Sequence, residues 1–194
     1  MIAIIDYAAG NVKSVENAAK KLGFKTQVTA DHQIIRNADK VIFPGVGEAS
    51  SAMEKLQAAG LDTLIPQLKQ PFLGICLGQQ LLCASSEEGQ TKGLGIFDVE
   101  VKKFPAIQVV PHMGWNSLQQ LEGPLFQGIS ETDDFYFVHS YYCELSEEKS
   151  SVCDYIMPFS ASLHKNNFYG TQFHPEKSGR AGLLVLQNFL NLKR

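Results

Sequence analysis

The sequence predicts an α/β fold: a single open, mostly parallel sheet flanked by helices, with a mixed or antiparallel strand extension in its second half. Three observations predict it. Short apolar runs at residues 2–5, 40–43 and 72–75 alternate with helical periodicity, the signature of parallel strands covered by helices. Two of these runs end in glycine-bearing turns, Pro44-Gly45-Val46-Gly47 and Gly74-Ile75-Cys76-Leu77-Gly78. Beyond Gly93 the pattern changes to strands. With 194 residues and 44% hydrophobic content, the chain has the size and apolar content of one domain, residues 1–194.

Taken in order, residues 2–5 form a buried strand. Val12, Val15, Ala19 and Leu22 recur at helical spacing, and Gly23 is placed to stop that helix. Residues 40–43 form the next strand, followed by an alanine-rich helix carrying Met53 and Leu56. Residues 72–75 form the third, followed by Cys76 and a helix over residues 77–84. Four strands are expected after that, over residues 94–102, 107–110, 135–143 and 152–157. The chain closes with a helix over residues 180–192, whose Leu183, Leu184, Leu186, Phe189 and Leu190 return to the core. No repeat, low-complexity tract or dividing linker is present.

Composition excludes several classes of function. Net charge is −3, with lysine and arginine spread along the chain, so there is no electrostatic footprint for nucleic acid. No apolar run approaches the roughly 20 residues of a membrane span, and the start of the chain lacks a secretory pattern. Cys76, Cys83, Cys143 and Cys153 contain no Cys-x-x-Cys pair. The expectation is a cytoplasmic chain with reduced thiols, and with no metal, cofactor, nucleic-acid or membrane partner.

Cys76 stands between Gly74 and Gly78 at a strand-to-helix turn, which is how an α/β enzyme presents a nucleophile. Glycines two positions to either side let the backbones pack without an intervening Cβ. The sulfur then lies near a helix N-terminus, where N–H groups and the dipole favour the thiolate. The segment alone is equally compatible with a peptidase or another thiol hydrolase, and the non-catalytic alternative is a glycine-flanked core cysteine. Cys83, Cys143 and Cys153 read as small buried hydrophobes.

In open α/β sheets ligands collect at the carboxyl ends of strands, so the turns at 44–47 and 74–78 are expected to face each other on one rim. A cysteine acyl-transfer site needs two donors aimed at an oxyanion. The N–H of Leu77 is one. The turn supplies the other through Val46 or Gly47, with Gly45 allowing close approach to the substrate.

Far downstream, Pro175 biases His174 toward an extended conformation, and residues two apart in extended chain project to one side. Glu176 is therefore placed to fix the tautomer of His174 and support its imidazolium. Taken alone, His-Pro-Glu is also an ordinary turn. His32 and His164 read as solvated or structural. His112 and His139 have apolar and aromatic neighbours, and their spacing does not make a metal site.

With these residues identified, the chain resembles the triad class of glutamine amidotransferases, and within it the glutaminase subunits of imidazole glycerol phosphate synthases, over essentially its whole length. The resemblance is carried by Asp6-Tyr7 through Gly10-Asn11, the turn at 44–47, the cysteine elbow with Gln80, and Ser86-Glu87-Glu88-Gly89. It continues through Pro111-His112-Met113-Gly114-Trp115-Asn116, Val138-His139-Ser140-Tyr141 and Gln172-Phe173-His174-Pro175-Glu176-Lys177-Ser178.

The resemblance implies that Cys76 attacks the side-chain carboxamide of L-glutamine, releases ammonia and leaves a glutamyl thioester for water to hydrolyse. His174 is then the acid and base, and Glu176 its orienter. Gln80 and Glu88 hold glutamine, with His139, Ser140 and Tyr141 near its α-carboxylate. The implied partner is a (β/α)8 cyclase subunit in a heterodimer. There ammonia joins a phosphoribulosyl nucleotide intermediate to give imidazole glycerol phosphate and an aminoimidazole carboxamide ribotide. Met113, Trp115 and Asn116 are implied near the cyclase and the ammonia path, although as bare residues Met113 and Trp115 read as core.

Two positions depart from the family pattern: Gln79 stands where methionine is usual, and Ala8 where glycine is usual. The first stands beside the elbow and is expected to tune packing or substrate contact, and the second is expected to restrict the loop after the first strand. Two alternatives remain at this level, an amidotransferase subunit for another acceptor, as in anthranilate or GMP synthesis, and a catalytically silent interaction module.

Overall fold

The computed structural model describes residues 1–8 and 11–193. Chain order begins with β1 (Ile2–Ile5), α1 (Val12–Lys21), β2 (Thr26–Thr29), α2 (His32–Asn37) and β3 (Lys40–Gly45). It continues with α3 (Ala49–Ala58), α4 (Leu61–Leu64), β4 (Phe72–Cys76), α5 (Leu77–Leu82), β5 (Cys83–Ser86), β6 (Thr91–Lys92) and β7 (Phe97–Lys103). Then come β8 (His112–Ser117), β9 (Asp134–His139), β10 (Tyr141–Cys143), β11 (Lys149–Tyr155), β12 (Met157–Lys165), β13 (Phe168–Thr171) and α6 (Gly179–Leu190).

The principal sheet has seven strands in the order β11-β12-β13-β4-β3-β1-β2. The pairs β1/β2, β1/β3, β3/β4 and β13/β4 are parallel, and the hairpins β11/β12 and β12/β13 extend the sheet antiparallel. A four-stranded sheet, β10-β7-β5-β6, and the antiparallel pair β8/β9 complete the strands among the described residues.

Both faces of the main sheet are covered because β1, β3 and β4 are buried at every position and carry apolar side chains on both faces. Successive side chains of a strand point to opposite faces. Ile2, Ile4, Ile42, Leu73 and Ile75 accordingly enter one core with Val15 and Ala19 of α1 and Val185, Leu186 and Phe189 of α6. Ala3, Ile5, Val41, Phe43 and Phe72 enter the other with Met53 and Leu56 of α3 and Leu81 and Leu82 of α5. A fully buried Phe or Ile at these positions contributes about 1.5–3 kcal/mol, so the cores hold the rim of the sheet rigidly enough to carry a site.

Several boundaries follow tertiary pairing rather than local pattern. Gly23, at φ +87, stops α1 as expected, its N–H reaching Lys20 O at 2.9 Å. The helix after Cys76 ends at Leu82 instead of Ala84, because residues 83–86 turn extended to pair with β7. The strand expected from Leu94 starts at Phe97, after a turn at Gly95 with φ +66. Residues 107–110 form no strand: prolines at 105 and 111 flank them, and Ile107 and Val109 are exposed. The run at 135–143 breaks at Ser140, its first part pairing with β8 and its second with β7. The run at 152–157 is strand to Tyr155, the end of β11, and then turns at Ile156 with φ +65 into β12. Strand β2 and helix α2 were not apparent in the sequence, one being half-exposed and polar and the other only six residues long.

Candidate active site

The elbow is built where β4 runs into α5. Cys76 is the last residue of the strand and caps the helix at φ 56, ψ −112. A non-glycine residue held in such a conformation costs about 1–3 kcal/mol and persists only where its surroundings over-determine it. Those surroundings are the flanking glycines. A Cβ at Gly78 would strike the carbonyl oxygen of Phe43, and one at Gly74 would lie 2.7 Å from the carbonyl oxygen of Gly78. The β3/β4 register sets Gly45 beside Cys76, which brings the turns at 44–47 and 74–78 together on one rim.

His174 follows β13 and is anchored at both ends of its backbone. Its N–H donates to Tyr136 O at 3.0 Å, and its carbonyl accepts from the Ser178 hydroxyl at 2.6 Å. Its Nδ1 lies 2.8 Å from Glu176 Oε1, with the two side chains 2% and 1% exposed. The carboxylate accepts, so Nδ1 carries the proton and Nε2 is the atom left to exchange one. Nε2 is buried, with no hydrogen-bond partner among the described residues. Burial opposes charging of the ring, but the Cys76 sulfur and the Glu176 carboxylate together push His174 up to about 10. An imidazolium there is the electrostatic complement of a thiolate.

The rest of the rim encloses a cavity of about 400 Å³. Cys76, Leu77, His174, Val46 and Gly47 form one part of its wall, and Gln80, Glu88, His139, Ser140 and Tyr141 another. The Glu88 carboxylate accepts from Ala49 N at 2.9 Å. Burial pushes Glu88 up, against the lowering effect of that hydrogen bond, and the charge of Glu48 adds to the rise. His139 Nδ1 donates to Tyr141 O at 2.8 Å, so its Nε2 accepts from His112 Nδ1 at 3.0 Å. Burial pushes His139 down to about 3 and His112 to about 4, leaving both neutral and unsuited to proton transfer with His174.

Five of the expected site residues stand outside the cavity wall. Glu176 lies behind His174. Gly45 lies beneath the rim, where a Cβ would sit 2.7 Å from the Tyr7 hydroxyl and 2.9 Å from Gly78 N. Met113 and Trp115 are exposed on β8, at 64% and 57%, correcting their reading as core; Trp115 stands edge-on to Tyr136. Asn116 is held back by a bond from its Nδ2 to Asp154 O at 3.1 Å. Gly10 lies outside the described residues.

Gln79 does not reach the cavity. It is fully buried, donating to Cys143 Sγ at 3.3 Å and Ser160 O at 3.4 Å, and it packs on Gly170, so this departure changes the floor under the elbow. Ala8 takes up φ 59, the left-handed region that favours glycine.

Two contacts with the site were not apparent in the sequence. The Tyr7 hydroxyl is buried beside Gly45 without a partner among the described residues, and burial, with the Cys76 charge adding, pushes it up. Gln172 Nε2 donates to Cys76 Sγ at 3.7 Å. Its signal was its place two residues before His174. Among the described residues no group of three or more His, Cys, Asp or Glu could hold a metal ion, and no helix is long and apolar enough to cross a membrane.

A buried His–Glu pair beside a strained, glycine-flanked cysteine is a nucleophilic acyl-transfer arrangement. The family described as Glutamine amidotransferase class-I matches residues 3–192. The chain belongs to the class-I glutamine amidotransferases. Among its relatives is the imidazole glycerol phosphate synthase subunit HisH of Bacteroides thetaiotaomicron, 54% identical over 98% of this chain and 99% of that protein. The subunit of the same name from Pasteurella multocida is 46% identical over 99% of this chain and 98% of that protein.

Solved structures share the fold at much lower identity. PurLQS from Thermotoga maritima superposes with a TM-score of 0.75 at 16% identity, covering 98% of this chain and 97% of that one. A glutamine amidotransferase from the same organism superposes at 0.68 and 15% identity, covering 97% and 95%. The α/β architecture, a mostly parallel sheet flanked by helices, is therefore that of the family.

Proposed function

We propose that this class-I glutamine amidotransferase is the glutaminase subunit of an imidazole glycerol phosphate synthase, hydrolysing L-glutamine to glutamate and ammonia. The observation that carries the reading is 54% identity to a HisH subunit over 98% of this chain. It is supported by the Cys76, His174 and Glu176 arrangement of the family site.

In this reading the Cys76 thiolate adds to the carboxamide carbon of glutamine, forming a C–S bond. The carbonyl oxygen becomes an oxyanion facing the N–H groups of Leu77 and of the turn at Val46 and Gly47. His174 gives its Nε2 proton to the departing nitrogen as the C–N bond breaks, and ammonia leaves. Water then attacks the thioester, His174 taking its proton, and glutamate departs as the thiolate re-forms. Glu176 holds the Nδ1 proton and stabilises the imidazolium throughout. Gln80, Glu88, Ser140 and Tyr141 hold the substrate's amino-acid end, and His139 acts through the Tyr141 carbonyl.

Ammonia passes to a (β/α)8 cyclase subunit docked over the exposed face of β8, where Met113 and Trp115 offer apolar surface and Met113 pairs with Val138 of the cavity wall. The four free cysteines suit a reducing cytoplasm.

Replacing Cys76 with alanine is expected to abolish glutamine hydrolysis and glutamyl-thioester trapping; full turnover in that variant overturns the mechanism. Co-purification from the host should recover a (β/α)8 cyclase, and recovery of an anthranilate or GMP synthase component instead would reassign the acceptor.

A further inference from the structure

Cys76 has a second polar neighbour besides His174. Gln172 is fully buried directly after β13, its own N–H fixed to Ala161 O at 2.8 Å. Its Oε1 accepts from Gln80 Nε2 at 2.8 Å, and its Nε2 approaches Cys76 Sγ at 3.7 Å.

The orientation of both amides follows from one backbone group. Gln80 Nε2 also donates to Tyr141 O at 2.8 Å. A carbonyl only accepts, so the Gln80 atom facing it is nitrogen, with its two hydrogens shared between Tyr141 O and Gln172 Oε1. Gln172 then has its oxygen toward Gln80 and can present only N–H to the sulfur. Flipping either amide would set donor against donor or oxygen against oxygen in a buried site. The same Tyr141 carbonyl receives the Nδ1 proton of His139, which holds the acceptor in place.

We propose that Gln172 is a positioning residue for the reaction. Its amide N–H stabilises and aligns the Cys76 thiolate, with its polarity set through Gln80 by the Tyr141 carbonyl. The protonated thiol has a different partner, since Cys76 Sγ can donate to Val138 O at 3.9 Å. Loss of the proton therefore ends the donated contact with Val138 and leaves the sulfur accepting from Gln172. An N–H aimed at sulfur favours the ionised form, because the thiolate is the stronger acceptor. The chain also joins the cavity wall to the nucleophile: Gln80 has both N–H groups committed inward, leaving its Oε1 as its remaining polar atom. The proposal rests on Cys76 being the nucleophile.

The test is the pH dependence of Cys76 alkylation by iodoacetamide in the full chain, with the modified residue located by peptide mass spectrometry. Wild type is compared with Gln172→Glu, which keeps the shape but cannot donate when ionised, and with Gln172→Leu, which removes both polar atoms. Both variants are expected to move the alkylation midpoint upward by about one pH unit or more, the scale of one charge-assisted hydrogen bond, Gln172→Glu further than Gln172→Leu. kcat for glutamine should fall more than KM rises. An unmoved midpoint accompanied by a raised KM alone would overturn the proposal, since it would mean that Gln172 only props Gln80.

A second measurement does not depend on the folding of either variant. In wild-type protein the side-chain amide proton signals of Gln172 should titrate with Cys76, and the titration should vanish in Cys76→Ala. Its persistence there would count against the proposal. A wild-type Cys76 left unreactive at every pH would overturn the nucleophile reading itself.

Discussion

Glu176→Gln isolates the electrostatic part of the His174 site, because it keeps the shape of the side chain and removes its charge. The two side chains are 2% and 1% exposed and joined at 2.8 Å, so water cannot replace the lost interaction. A hydrogen bond to a charged partner contributes about 1.5–3 kcal/mol, which corresponds to roughly one to two pH units of histidine titration at 1.36 kcal/mol per unit. His174, held at about 10 by Cys76 and Glu176 against burial, should accordingly lose its proton roughly one to two units lower in the variant. The same energy lost from the transition state lowers kcat/KM about 10- to 150-fold. The assay is glutaminase kcat/KM from pH 6 to 11, with the thermal midpoint measured alongside. The alkaline limb reports His174 losing the proton that it gives to the leaving nitrogen, and that limb should move down in pH. A variant with its alkaline limb unmoved and less than about threefold loss of activity would refute the assignment of Glu176 as the group that holds the imidazolium.

Two further outcomes concern stability. Tyr7→Phe should raise the urea midpoint, because it deletes a buried hydroxyl with no partner among the described residues; an unsatisfied group of this kind costs about 1–3 kcal/mol. A lowered midpoint would mean that the hydroxyl is satisfied in solution. The histidines should also give stability a maximum near pH 6.5, where unfolded imidazoles titrate. His112 and His139 lie at about 4 and about 3, so below pH 6.5 the unfolded chain binds more protons and stability falls with pH. His174 lies at about 10, so its stabilisation is complete below pH 6.5 and is lost as pH rises through 10. Urea midpoints at pH 5, 6.5 and 8.5 check both slopes: His139→Gln should flatten the acid side, and a wild-type profile flat from pH 5 to 6.5 would contradict the buried neutral pair.

Legibility in the sequence tracked how local each cause was. The strands at residues 2–5 and 40–43 and the helix stop at Gly23 were readable because burial on both faces leaves a continuous apolar run and a left-handed turn favours glycine. The elbow was readable for the same reason, since Gly74 and Gly78 mark close backbone contacts. The split of residues 135–143 was not readable, because both halves suit strands and only their partners, β8 and β7, differ. Trp115 and Met113 looked like core because hydrophobicity does not state which face of a two-stranded ribbon is covered. Gln79, a departure beside the nucleophile, looked relevant to the substrate; its side chain points into the floor toward Cys143 and Ser160.

By itself the sequence determined the α/β class, the strained cysteine turn and the His174-Pro175-Glu176 segment, since each depends on the stereochemistry of a few adjacent residues. Only the tertiary structure decided which groups meet across 96 residues of chain to contact the sulfur, and which histidines stay neutral. Those outcomes depend on burial and on the orientation of a single carbonyl, at Tyr141, and both arise only when separate strands pack together.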